Sequence, residues 1–270
     1  MIATASTLLE RLATYELPPS SVALAWLGQS SFAFRLGGVT LLVDPYLSPH
    51  PDRLVPPPFA PEDARSVDLV LITHDHWDHL DEAVLPGIAA ASPGAIVVVP
   101  EELVERVGEL GIATDRVRGL AADAGAEMGG VTVEAVPACH GEGIDDAYRL
   151  GPFFGYIVSA GGARVYHAGD TIPFDGLAER LREKRVHLAL LPINGRDEER
   201  EAQGIVGNLD AREAAELASE IGADAAVPMH WDMFAANPGD PAEFVAVAQT
   251  TVILPQRLQP VVYTAPEEPR

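Results

Sequence analysis

The apolar positions of this chain repeat themselves. Residues 32–44 (FAFRLGGVTLLVD) and 156–170 (YIVSAGGARVYHAGD) share one order: an apolar segment, Gly-Gly, a second apolar segment and a closing Asp. Alternating or continuous apolar residues suit half-buried and buried strands, and Gly37-Gly38 and Gly161-Gly162 supply the positive φ angles of tight hairpins. In each half a further apolar run follows, over 67–73 and 186–193, and ends in polar residues. The pattern predicts an internal duplication built on two hairpins.

Further strands are expected over 96–99, 131–136 and 225–228, and helices over 81–91, 101–110, 177–183 and 211–221, where Gly, Pro or Asp lies near the ends. Residues 1–17 form an amphipathic stretch that suits a packing helix. Two sheets packed face to face with helices outside would bury all of these apolar faces. Pro56-Pro57-Pro58 reads as a stiff loop between Asp44 and the next strand. A single domain over 1–270 is the expected organisation, because this length can bury a large core.

The strand exits carry the chemistry. Directly after the run at 67–73 comes His74-Asp75-His76-Trp77-Asp78-His79. On extended backbone, i and i+2 side chains point the same way, so His74 and His76 can share one metal. Asp78 and His79 follow where the chain turns, and can face a second ion. His140, Asp170 and His230 lie after the later strands and could converge on the same sandwich edge. Short polar residues also cap turns and helices. Three His and an Asp within six positions exceed that need, and burying them unpaired would be costly. The cluster reads as a binuclear metal site.

Composition narrows the substrate. Eighteen basic against 40 acidic residues give a net charge of −22, which opposes nucleic acid and anionic membrane surfaces as partners. A small-molecule substrate, even an anionic one, stays compatible, because divalent cations reverse the local potential of a pocket. Cys139 is the sole cysteine, so any metal must use His and carboxylate. No run reaches membrane-spanning length and the start lacks a signal-peptide pattern, which makes a cytoplasmic location the expectation. Folding does not require association at this size, and a homo-oligomer stays open.

In order and context, His74-x-His76-x-Asp78-His79, His140, Asp170 and His230 resemble the metallo-β-lactamase superfamily. The resemblance implies a four-layer αββα sandwich of the α/β class. It also implies that His74, His76 and His140 bind one metal, that Asp78, His79 and His230 bind a second, and that Asp170 bridges them. Asp170 and the missing secretion signal set the chain apart from true β-lactamases, and His76 stands where the diiron oxygen-reducing branch carries Glu. Within the superfamily, residues 72–80, 166–171 and 227–234 look most like the L-ascorbate-6-phosphate lactonase group.

Such a centre supports hydrolysis. Two divalent ions, zinc or manganese with iron also compatible, lower the pKa of a water toward about 7 and polarise the attacked group. Asp78 is the candidate to orient that water or receive its proton. Asn194, Arg196 and Asn208 are candidate substrate contacts, since Arg forks onto phosphate or carboxylate and Asn onto hydroxyls; a solvated ion-pair loop is the alternative for Arg196. Asp44 suits either a turn cap or a carboxylate supporting a metal-bound His, and His167 either a packed strand residue or a contact near the site. Trp77 and Trp231 could wall the pocket or anchor the core. The loops over 141–151 and 196–208 suit either substrate contact or plain connection. A binuclear metal-dependent hydrolase of a small ester, a sugar lactone or its phosphate, leads; a phosphodiesterase and a non-catalytic metal-binding module are the alternatives.

Overall fold

The computed structural model describes residues 5–141 and 148–266, and over them the chain forms two seven-stranded mixed sheets. The first sheet begins with β1 (Ser21–Gly28), β2 (Ser31–Leu36), β3 (Val39–Val43), β4 (Leu69–Leu71), β5 (Ile96–Pro100) and β6 (Val117–Leu120). The second holds β7 (Gly125–Met128), β8 (Val131–His140), β9 (Arg149–Ala160), β10 (Ala163–His167), β11 (Leu188–Pro192), β12 (Ala225–Met229) and β13 (Thr251–Val252). A last strand, β14 (Val261–Thr264), returns to pair with β1. The predicted duplication is present in the pairing: β1–β2–β3 run antiparallel and β3 to β6 parallel, while β8–β9–β10 run antiparallel and β10 to β13 parallel.

Helices cover the outer faces, as the two-sheet expectation required: α1 (Ala5–Ala13), α2 (Leu85–Ala91), α3 (Val104–Glu109), α4 (Leu177–Lys184), α5 (Glu198–Glu201), α6 (Ala211–Glu220) and α7 (Pro241–Val247). Strand alternation divides the apolar residues between layers. From β1, Val22, Leu24 and Trp26 enter the core between the sheets. Ala23, Ala25 and Leu27 face the other way, onto a second core with Leu9 and Leu12 of α1, Leu85 and Ile88 of α2 and Val107 of α3. On the second sheet Leu188 to Leu191 pack with Leu177 and Leu181 of α4 and with Ala214, Ala215 and Ala218 of α6. Each fully buried Leu or Val contributes roughly 1.5–3 kcal/mol, so both cores outweigh any single contact at the strand exits.

Several boundaries differ from the pattern for local reasons. The helix expected from 81 starts at Leu85, where Pro86 in the first turn lacks an N–H that would be unpaired there anyway. Asp81 instead accepts from the backbone N–H groups of Leu47 and Ser48 and from Ser48 Oγ, at 3.0, 2.7 and 2.7 Å. The strand expected over 131–136 continues to His140, with a register shift between Pro137 and Cys139. Pro137 hides that continuation in the sequence, because proline is tolerated in a sheet interior mainly at irregularities. No helix among the described residues is long and apolar enough to cross a membrane.

Candidate metal centre and active-site cavity

Four strand exits meet at one edge of the sandwich. His74 follows β4, His140 ends β8, Asp170 follows β10 and His230 follows β12. The turn after β4 is closed by Leu80 N–H donating to His76 O at 2.8 Å, which returns Asp78 and His79 toward the same point. His74 Nε2 lies 3.1 Å from His76 Nδ1, and His140 Nε2 lies 3.3 Å from it. Three nitrogens on a tetrahedral zinc at about 2.05 Å would be about 3.3 Å apart. His79, His230 and Asp78 form a neighbouring group, with His230 Nε2 3.7 Å and His79 Nε2 3.9 Å from the Asp78 oxygens. Asp170 stands between the groups: its oxygens are 3.3 Å from His79 Nε2, 3.1 Å from His230 Nε2 and 3.7 Å from His140 Nε2.

This donor set fits divalent cations. His79 Nε2 and Asp170 Oδ1 are buried, face each other at 3.3 Å and make no well-formed hydrogen bond, so a shared cation would satisfy both. Burial drives the His74 pKa well below its ordinary value and that of His140 down to about 3, so both are neutral, the form that binds metal. At His79 burial also opposes the charged form, but Asp170, Asp44 and Asp78 outweigh it and hold the pKa well above the usual histidine value. Burial likewise opposes ionisation of Asp170, yet His230 and His79 keep its carboxyl well below the usual range. Against burial, the carboxylates likewise raise the His230 pKa, so the pocket favours positive charge where cations would sit.

Behind the donors lies a layer of orienting bonds. Thr73 N–H donates to Asp44 Oδ1 and Thr73 Oγ1 to Asp44 Oδ2, both at 2.8 Å. The hydroxyl hydrogen being spent there, Thr73 Oγ1 accepts from His74 Nδ1 at 2.9 Å. Asp44 Oδ2 accepts from His79 Nδ1 at 2.7 Å. Both rings are thereby set with Nε2 facing the centre. Sequence reasoning did not single out Gln29, which is fully buried and donates from Nε2 to Asp78 Oδ2 at 2.9 Å. Its carbonyl accepts from His230 N–H at 3.1 Å, and holds that residue at φ 61°, a conformation costly for a side chain other than glycine. A Gln beside a glycine at a strand end was the available signal. His167 makes no contact with the donors through its polar atoms. Its Nδ1 accepts from Gly169 N–H at 3.2 Å and its Nε2 donates to Ser30 O at 2.8 Å, bracing the turn that carries Gln29.

A cavity of about 670 Å³ opens over His76, Asp78, Asp170 and His230. The three expected substrate contacts do not line it. Arg196 donates through both terminal nitrogens to Glu213, at 2.7 and 2.8 Å, and to Asn208 O at 2.9 Å. Asn208 Nδ2 donates to Asn194 Oδ1 at 3.0 Å, and both side chains are buried. These residues fasten the loop after β11 to α6, because Glu213 of that helix accepts from both terminal nitrogens of Arg196. The loop contributes to the wall through Gly204, Ile205 and Val206 instead. Of the other candidate loop, residues 142–147 lie outside the described residues. The two tryptophans part company: Trp77 lines the cavity, while Trp231 stacks on Trp26 at 5.2 Å.

Comparison with known proteins agrees with this geometry. A family profile described as "Beta-lactamase superfamily domain" matches residues 40–231. A protein of Aeropyrum pernix named UPF0173 metal-dependent hydrolase is 34% identical over 238 residues, covering 82% of this chain and 87% of its own. One of the same family from Pyrococcus horikoshii is 33% identical over 226 residues, covering 83% and 90%. Among solved structures, a metallo hydrolase of Ignicoccus hospitalis superposes with a TM-score of 0.67 at 27% identity, covering 90% of this chain and 98% of that one. The chain belongs to the metallo-β-lactamase superfamily, within its UPF0173 metal-dependent hydrolase family.

Proposed function

We propose that this protein is a binuclear metal-dependent hydrolase that opens a small carbonyl ester, with a lactone as the substrate type. The observation that carries the reading is the overlap of three donor groups, His74-His76-His140, His74-His79-Asp170 and Asp78-His79-His230, at the floor of one cavity. When bound there, two divalent ions supply a water of lowered pKa and polarise the attacked carbonyl. The chain's own residues do the rest. Gln29 holds Asp78 Oδ2, and Oδ1 lies 3.9 Å from His79 Nε2. Asp78 takes the proton of the attacking water and returns it to the leaving alkoxide. Burial keeps His74 and His140 neutral donors.

Carbonyl attack is favoured over phosphodiester cleavage because the net charge is −22 and the described lining residues form no basic track. A non-catalytic module would not need an open cavity over the donors. The test is elemental analysis together with turnover of lactones, bis(p-nitrophenyl) phosphate and RNA after loading with zinc, manganese or iron. About two metals per chain and preferential lactone opening are expected. A stoichiometry that never exceeds one, or RNA cleavage without lactone opening, would reject the reading.

A further inference from the structure

Trp77 is 54% exposed and Leu54 59%, yet both belong to the cavity wall over the donors. The indole of Trp77 is held by three rings: it stacks on His50 at 5.2 Å and meets Tyr46 and Phe234 edge-on at 5.3 and 5.5 Å. A large apolar side chain fixed this way gains little for the fold from its open face, and that face adjoins the site of reaction. Ile205, Val206 and Phe234 continue the apolar wall. Arg53 is the one arginine or lysine among the described lining residues. Its guanidinium donates to the carbonyls of Ser48, Val55 and Tyr46, at 2.9, 3.0 and 3.5 Å, and stands over the Tyr46 ring at 4.5 Å. The wall therefore offers contact area to an apolar group, and of its one guanidinium only Nη2, which is buried, has no hydrogen-bond partner.

We infer that the cavity selects a neutral ester whose body is an alkyl or aryl group, such as an alkyl- or aryl-substituted lactone, rather than a sugar lactone or its phosphate. This specificity rests on the hydrolase reading above. The volume of about 670 Å³ suits one such molecule and falls within the roughly 300–1,000 Å³ of small-molecule sites. Sugar hydroxyls seated against Trp77, Leu54 and Val206 would lose water and gain no partner from those side chains, and Asn237 Oδ1 is the one unpartnered amide oxygen of the described lining.

The metal-loaded enzyme is assayed on dihydrocoumarin and γ-nonalactone against gluconolactone and 6-phosphogluconolactone. The apolar pair should exceed the sugar pair in kcat/KM by on the order of tenfold or more, since a single seated methylene reaches that factor. Trp77→Ser should shrink the advantage, chiefly through KM, and Trp77→Phe should restore it. Calorimetric binding of 3,4-dihydro-2-quinolinone, a lactam that resists opening, against gluconolactam reads the same preference without turnover. Preference for sugar lactones, equal lactam affinities, or an advantage that survives Trp77→Ser would overturn the inference and leave the hydrolase standing. Selective binding of the apolar lactam by a protein that opens no lactone would instead uphold the wall and reject the reaction.

Discussion

Asp44 and Asp170 close equivalent hairpins in the two halves, β2–β3 and β9–β10, and then diverge. Each leaves its hairpin beside a parallel strand, β4 in the first half and β11 in the second. The exit of β4 offers Thr73, whose N–H and hydroxyl occupy both Asp44 oxygens, and His79 adds a third bond. The exit of β11 offers Asn194, which pairs with Asn208 and leaves Asp170 Oδ1 to face His79 Nε2 at 3.3 Å. One carboxylate became the support of two histidines and the other faces the donor nitrogens of His79, His140 and His230. What a strand-end aspartate does is set by its neighbour across the sheet.

The comparison breaks most readily at Asp170. Asp170→Ala should lower hydrolysis by on the order of 10³-fold or more and reduce bound metal, with far-UV circular dichroism unchanged because the core lies in the strands. Normal turnover and full metal content in that variant would remove Asp170 from the centre. Asp44→Asn sharpens the contrast. It should weaken metal affinity or activity by about 10–100-fold, as for other groups that orient a ligating histidine, while the bound stoichiometry at saturation stays that of the parent. Equal loss of stoichiometry in the two variants would erase the distinction between support and ligand.

The smallest effect concerns the hairpin turns. Gly161 has φ 57° and an added Cβ would meet nothing within 4 Å, so Gly161→Ala should cost only the left-handed backbone penalty of about 1–2 kcal/mol. Gly37 has φ 58°, and a Cβ there would come within 2.5 Å of the Ala160 Cβ, at the tip of the other hairpin. Gly37→Ala should therefore destabilise more than Gly161→Ala in urea unfolding of the metal-free protein. Equal losses would show that the two hairpin tips can part without cost.

The candidate donors were legible because they are dense, chemically distinctive and placed where apolar runs stop. The cavity wall was legible only at Trp77 and in the 196–208 loop. It is assembled from His50 to Leu54, Trp77, Gly204 to Val206 and Phe234 to Asn237, short segments far apart in the chain with no shared spacing. Arg196, Asn194 and Asn208 drew attention as residues that bind anions and hydroxyls, but their chemistry is spent on Glu213 and on one another. Sequence reveals which groups a side chain carries and not whether a partner already holds them. Gln29 shows the converse, an unremarkable residue given a position beside Asp78 by the turn between β1 and β2.

By itself the sequence determined the strand alternation, the two Gly-Gly turns, the repeated half and the supply of His and Asp at strand ends. These depend on the period-2 direction of side chains and on φ angles, which neighbouring residues fix. Tertiary structure decided which aspartate supports and which faces the donors, which tryptophan lines the cavity, and which loops enclose it. Those outcomes depend on pairings such as β3 with β4 and β10 with β11, where residues distant in the chain satisfy or leave open each other's polar atoms.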